Sequence, residues 1–66
     1  MNTEWRFWDI SKTYTDAEAK LPREIQRIQS NHLHDGIKVL MHIRRDPRRD
    51  DNDWPWELWY KLEEVL

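Results

Sequence analysis

The chain has no cysteine, so neither a disulfide nor a thiolate metal site can make up for a small core. It has one glycine, Gly36, which excludes a glycine-rich loop of the kind that cradles phosphate. Its serines, Ser11 and Ser30, stand in no nucleophile-elbow setting. With cysteine also absent, neither a serine nor a cysteine nucleophile has a candidate, and most of the carboxylates sit in charged loop or solvated helix positions. A substrate pocket of about 300 Å³ or more would consume much of so small an interior. No apolar run approaches the roughly 20 residues of a membrane span. The opening Met1-Asn2-Thr3-Glu4-Trp5 lacks the basic and apolar regions of a signal peptide. The expectation is a soluble, cytoplasmic chain with no membrane partner, no cofactor and no catalytic activity.

What the chain does have is tryptophan. Five tryptophans, two tyrosines and one phenylalanine occur in 66 residues, a length near the lower limit for folding without staples. Each indole can bury roughly 150–250 Å², so these rings are the available source of burial. A charged fraction of 36% and a mean hydropathy of -1.09 lean towards disorder. The 12% aromatic content, at periodic positions, argues for a fold. The net charge of -2 gives no general attraction to nucleic acid or anionic membrane.

Residues 4–10, Glu4-Trp5-Arg6-Phe7-Trp8-Asp9-Ile10, are rich in strand-favouring aromatics. Trp5 and Phe7 share one face of such a strand, and Trp8 and Ile10 share the other. The strand is therefore either covered on both sides or bulged near Phe7–Trp8. Thr15-Asp16-Ala17-Glu18 fits a capping box, and Ala17, Leu21, Ile25, Ile28 and His32 form a helical stripe. Glu24, Arg27 and Gln29 lie away from its centre, where they can stay solvated. Pro22 would cost a hydrogen bond inside a helix, so the main helix is expected over about 22–32, with a looser turn ahead of it. Asp35-Gly36 is a turn signal. Ile37, Val39, Met41 and Ile43 then alternate with Lys38, Leu40, His42 and Arg44, the pattern of a strand.

Residues 44–53 have no apolar residue except Pro47 and read as a solvated loop. Pro55 suits the first turn of a C-terminal helix with Asp53 or Trp54 as its cap. On a helical wheel, Leu58, Trp59, Leu62, Val65 and Leu66 share a core arc. Trp56 and Tyr60 fall off that arc, one turn apart, beside the charged side. The fold class expected is a small single α+β domain over residues 1–66, in β-α-β-α order. A two-stranded sheet is marginal in water. The strands need both helices packed on them, and a further strand or an edge borrowed in a homodimer would complete them.

Two constellations bear on binding. His32, His34 and His42, with Asp35, contain a His-x-His pair, but no motif fixes a third or fourth ligand, and no metal site is expected. The run Arg44-Arg45 and Arg48-Arg49 could meet phosphates. Asp46, Asp50, Asp51 and Asp53 cancel it charge for charge, which disfavours counterion-driven binding. The stronger signal is the pair Trp56 and Tyr60, because protein interfaces are enriched in Trp, Tyr and Arg. The contact surface expected is Trp56 and Tyr60 with Arg45, Arg48 and Arg49, and Asp50, Asp51 and Asp53 as a second patch. In size, tryptophan and charge content and lack of a catalytic signature, the chain resembles the small inhibitor proteins of phages and other mobile elements, anti-CRISPR proteins and antitoxins among them. That likeness of composition and length implies a non-enzymatic inhibitor or adaptor that occupies a partner protein's surface. The alternative is a nucleic-acid-binding accessory protein using the Arg44–Arg49 loop and an exposed tryptophan.

Overall fold

The computed structural model describes residues 4–31 and 36–64. Over these the chain forms strand β1 (Arg6–Ser11), helix α1 (Tyr14–Ser30), strand β2 (Ile37–Arg45), a short 3-10 turn (Asp51–Asp53) and strand β3 (Trp56–Glu64). The strands make one three-stranded sheet in the order β1-β3-β2, with β3 antiparallel to both neighbours. β1 and β2 thus run in the same direction, joined by the crossover through α1, and β3 returns between them.

The α+β class stands, but the C-terminal helix and the two-stranded sheet do not: residues 56–64 are the central strand. Trp56, Leu58, Tyr60 and Leu62 alternate with Glu57, Trp59, Lys61 and Glu63, a period of two that competes with the helical arc read from the same residues. Ring-bearing side chains favour the extended form. The deciding term is tertiary. Two parallel strands with a gap between them leave two rows of backbone groups unpaired, and a third strand satisfies both. Val65 and Leu66, which completed the helical arc, lie outside the described residues.

α1 also differs from expectation. It begins at Tyr14, well before Pro22, and its cap is Thr13, not the Thr15 box: Thr13 is extended (φ -128, ψ 159) and its Oγ1 accepts the Asp16 N–H at 3.1 Å. Pro22 lies inside the helix, where it costs about 3 kcal/mol or more in isolation. The residues that meet the sheet fall on both sides of it, Ala17 before and Glu24 and Ile28 after. Packing therefore carries the helix through the proline, which itself faces water. Glu24, expected to be solvated, is buried, with Oε2 held 3.7 Å from Arg27 Nη1.

The core lies between α1 and one face of the sheet. Ala17, Ile28, Val39 and Leu58 are its buried apolar members, and Leu58 is fully shielded at 0% exposure. Ser11 is equally buried, and its Oγ has no hydrogen-bond partner among the described residues. An unsatisfied buried hydroxyl is destabilising. Ser11→Ala is therefore expected to leave stability unchanged or raise it by about 1 kcal/mol in a urea titration. A loss of that size would show that the hydroxyl is satisfied.

The bulge read from the first strand is present. The β1–β3 register shifts between Phe7 and Asp9: Phe7 lies opposite Trp59, Asp9 opposite Leu58 and Ile10 opposite Glu57. Trp8 turns to the helix side, where its ring meets Tyr60 edge-on at 5.5 Å. Across the bulge the alternation is reset. Asp9 and Ser11 join the helix-covered face, and Ile10, expected beside Trp8, joins Phe7 on the opposite face.

Candidate functional site on the open face of the sheet

With α1 on one face, no described element packs on the other. Strand register places Phe7, Trp59 and His42 in one cross-strand row on that open face, with Ile10, Glu57 and Arg44 in the next. Leu40 and Lys61 pair beyond them. The rings lock edge to face: Phe7 against Trp59 at 5.8 Å and Trp5 against His42 at 4.2 Å. Arg44 Cζ sits 5.7 Å from the Trp59 ring, and Lys61 Nζ lies 5.2 Å from the Trp5 ring. The Trp59 indole N–H donates to Glu57 Oε1 at 3.1 Å. Each cation–π pair contributes about 0.5–1 kcal/mol at such sites, enough to hold the rings in place without covering them. Phe7 remains 49% exposed and Trp5 39%. The surface is thus an ordered aromatic patch rimmed by cations.

The change from helix to strand exchanges the roles of the C-terminal aromatics. Trp59, expected on the core arc, stands on the open face. Trp56 and Tyr60, expected as a platform one helical turn apart, flank Leu58 on the helix-covered face, because alternate strand residues point the same way. Tyr60 is half-buried against Trp8. Trp56 is half-buried at the end of the sheet, edge-on to Tyr14 at 5.2 Å, with Arg45 Cζ 5.9 Å from its ring.

The expected loop is organised around Asp46. Its N–H donates to Pro55 O at 2.9 Å. Its carboxylate accepts the Arg48 N–H at 3.0 Å and Arg48 Nε at 3.2 Å, while Arg49 Nε lies 3.5 Å from Oδ2. Arg44 and Arg45 belong to β2, not to the loop, and as consecutive strand residues they face opposite sides of the sheet. Asp50 Oδ1 accepts the Asn52 N–H at 2.9 Å, capping the 3-10 turn that Asp51 opens. The Asp53 N–H donates to Asp50 O at 3.0 Å. Of the residues expected to form one contact surface, Trp56, Arg45, Arg48, Arg49, Asp50 and Asp53 cluster at this end of the sheet, and Tyr60 lies apart from them. Trp54 closes the turn in the left-handed region (φ 55, ψ 65), a strained conformation for a bulky residue before proline. His32, His34 and Asp35 lie outside the described residues, and His42 packs against Trp5 on the open face.

The Arg48 backbone N–H, followed by the Arg48 side chain, holds the Asp46 carboxyl below its ordinary value. A carboxyl whose pKa is lowered on folding stabilises the fold above the ordinary carboxylate range. That contribution is lost as pH falls through the lowered value. Acid should therefore release this loop, and Asp46→Asn should flatten the acid limb of a plot of melting temperature against pH while leaving the limb near neutrality parallel. An unchanged acid limb would assign acid sensitivity to other carboxylates.

Local sequence pattern does not mark Trp5, Phe7, His42, Arg44, Trp59 and Lys61 as one site. The signal that could find them is alternation: Trp5 and Phe7 share a strand face, and Trp59 joins them once residues 56–64 are set at a period of two. No protein-family model matches the chain, and comparisons with curated proteins and with solved structures find no match. Among the described residues no helix is long and apolar enough to cross a membrane.

Proposed function

We propose that the chain is a non-enzymatic protein-binding module, a small inhibitor or adaptor that acts by laying the open face of its sheet on a partner's surface. The observation that carries this reading is a sheet covered on one face only, with Trp5, Phe7 and Trp59 gathered on the other. A patch of exposed rings rimmed by charge is the usual make-up of an interface centre. The cation–π pairs preorder the rings and reduce the entropy lost on docking. Lys38, Arg44 and Lys61 stand on this face against Glu57 and Glu63, and Glu57 is buried, so the solvent-facing charge is basic. The partner that fits is an apolar protein patch rimmed by carboxylates. The nucleic-acid alternative has less support at the loop, where Asp46 engages both Arg48 and Arg49.

The test is capture from a bacterial lysate on immobilised chain, with and without nuclease, using wild type and Phe7→Asp side by side. The reading expects a protein retained after nuclease and lost with Phe7→Asp. Capture that nuclease abolishes supports the nucleic-acid alternative. Capture indifferent to Phe7→Asp removes the open face from the function.

A further inference from the structure

The two edges of the sheet are finished differently. On β1 the outward groups of Ile10 are occupied: its N–H donates to Asp9 Oδ1 at 2.8 Å, and its C=O accepts Lys20 Nζ at 3.1 Å. The strand is also short and bulged. Those are the devices that keep an edge from pairing. β2 has nine residues and a register with β3 unbroken from Ile37 to Arg45. The Asp46 N–H bonds inward to Pro55 O, so by alternation Arg44, His42, Leu40 and Lys38 bond inward as well. Ile37, Val39, Met41 and Ile43 then aim their N–H and C=O groups away from the sheet. The bond from Gln29 Nε2 to Ile37 O at 3.1 Å agrees. Among the described residues nothing is bonded to the outward groups of Val39, Met41 and Ile43.

Charge says what fits there. β2 carries Lys38, Arg44 and Arg45 and no acid. Its partner β3 answers with Glu63 opposite Lys38 and Glu57 opposite Arg44, and with Leu62, Tyr60 and Leu58 opposite Val39, Met41 and Ile43. A second copy of β2 paired antiparallel about Met41, the register that uses Val39, Met41 and Ile43 on both copies, would set Lys38 opposite Arg44 twice, which is unfavourable. We infer that the outer edge of β2 is a strand-addition site for an extended acidic segment of another protein, one that repeats the β3 pattern of two carboxylates spaced as Glu57 and Glu63 with apolar residues alternating between them. The backbone groups that would pair lie on the rim of the sheet, although Lys38 and Arg44 also stand on its open face, so Phe7→Asp, which alters the open face alone, separates this site from the function proposed above.

The probe is the synthetic peptide acetyl-Glu-Val-Thr-Val-Thr-Val-Glu-amide, read by amide hydrogen exchange and by titration. Binding is expected to slow exchange at the Val39, Met41 and Ile43 N–H groups, with Ile10 unchanged. The same peptide with lysine for glutamate should bind about tenfold or more weakly. Lys38→Gln with Arg44→Gln should erase that preference, and the neutral pair avoids the repulsion that charge reversal would set up with Glu57 and Glu63. An N-methylated peptide lacking the donors that face β2 should not bind, whereas Phe7→Asp should leave peptide binding intact. Equal binding of the N-methylated form would reduce the effect to charge attraction and overturn strand addition. So would unchanged exchange at Val39, Met41 and Ile43, or a chain that sediments as a dimer paired through β2.

Discussion

Leu58→Ala is expected to destabilise the chain by about 2–5 kcal/mol. Leu58 is fully buried on the central strand, opposite Asp9 on one side and Ile43 on the other. Truncation there leaves a cavity beneath α1 that neither neighbouring strand can collapse into without losing register. Stability of about 0.05–0.15 kcal/mol per residue is usual for a domain, so such a loss would remove a large part of the total. A urea titration of wild type and variant measures it. Trp59→Ala is the informative companion. On a C-terminal helix Leu58 and Trp59 would share the core arc and cost alike. On the strand they face opposite sides, and Trp59→Ala should cost clearly less. Equal losses would contradict the strand.

The second large effect concerns binding. Removing the open-face rings with Trp5→Ala and Phe7→Ala together is expected to weaken capture of the protein partner by about 2–4 kcal/mol, a factor of roughly 30 to 10³. Buried aromatic anchors near an interface centre carry most of its energy, and their loss is seen chiefly in the dissociation rate. Trp5 and Phe7 are both exposed and lose only their ring contacts and one cation–π pair, so folding stability should fall by about 1–3 kcal/mol and leave the chain folded. Surface-immobilised binding kinetics beside thermal melts separate the two readouts. Trp56→Ala is the contrasting variant. It lies on the helix-covered face against Tyr14 and Arg45, so it should act on the melt more than on the partner. The opposite outcome would restore Trp56 as the contact residue.

The same residues mark how far a local pattern reaches. The alternation of Ile37, Val39, Met41 and Ile43 is enough to identify β2, because the helical alternative would put the charged Arg44 beside Ile37, Leu40 and Met41, and the β-branched residues favour the strand. The crowding of rings at Phe7–Trp8 narrows the first strand to one covered on both sides or one with a bulge, and only the register with β3 decides for the bulge. The start of α1 is not legible in the same way. Pro22 is a strong local signal, and the packing of Ala17 and Ile28 that overrides it is not local.

The C-terminal segment shows the limit most clearly. Residues 56–64 satisfy a helical arc and a strand alternation almost equally, so their local pattern fixes composition without fixing direction. By itself the sequence determined an α+β arrangement without disulfide or phosphate loop, whose Arg44–Asp53 segment is charge-balanced; the aromatic core it suggested is not found, since the buried apolar residues among those described are Ala17, Ile28, Val39 and Leu58. Only the tertiary structure decided which rings face water. Two parallel strands joined by a helix leave a gap whose unpaired backbone groups demand a third strand, and filling it with residues 56–64 turned Trp59 outwards and Trp56 and Tyr60 towards α1.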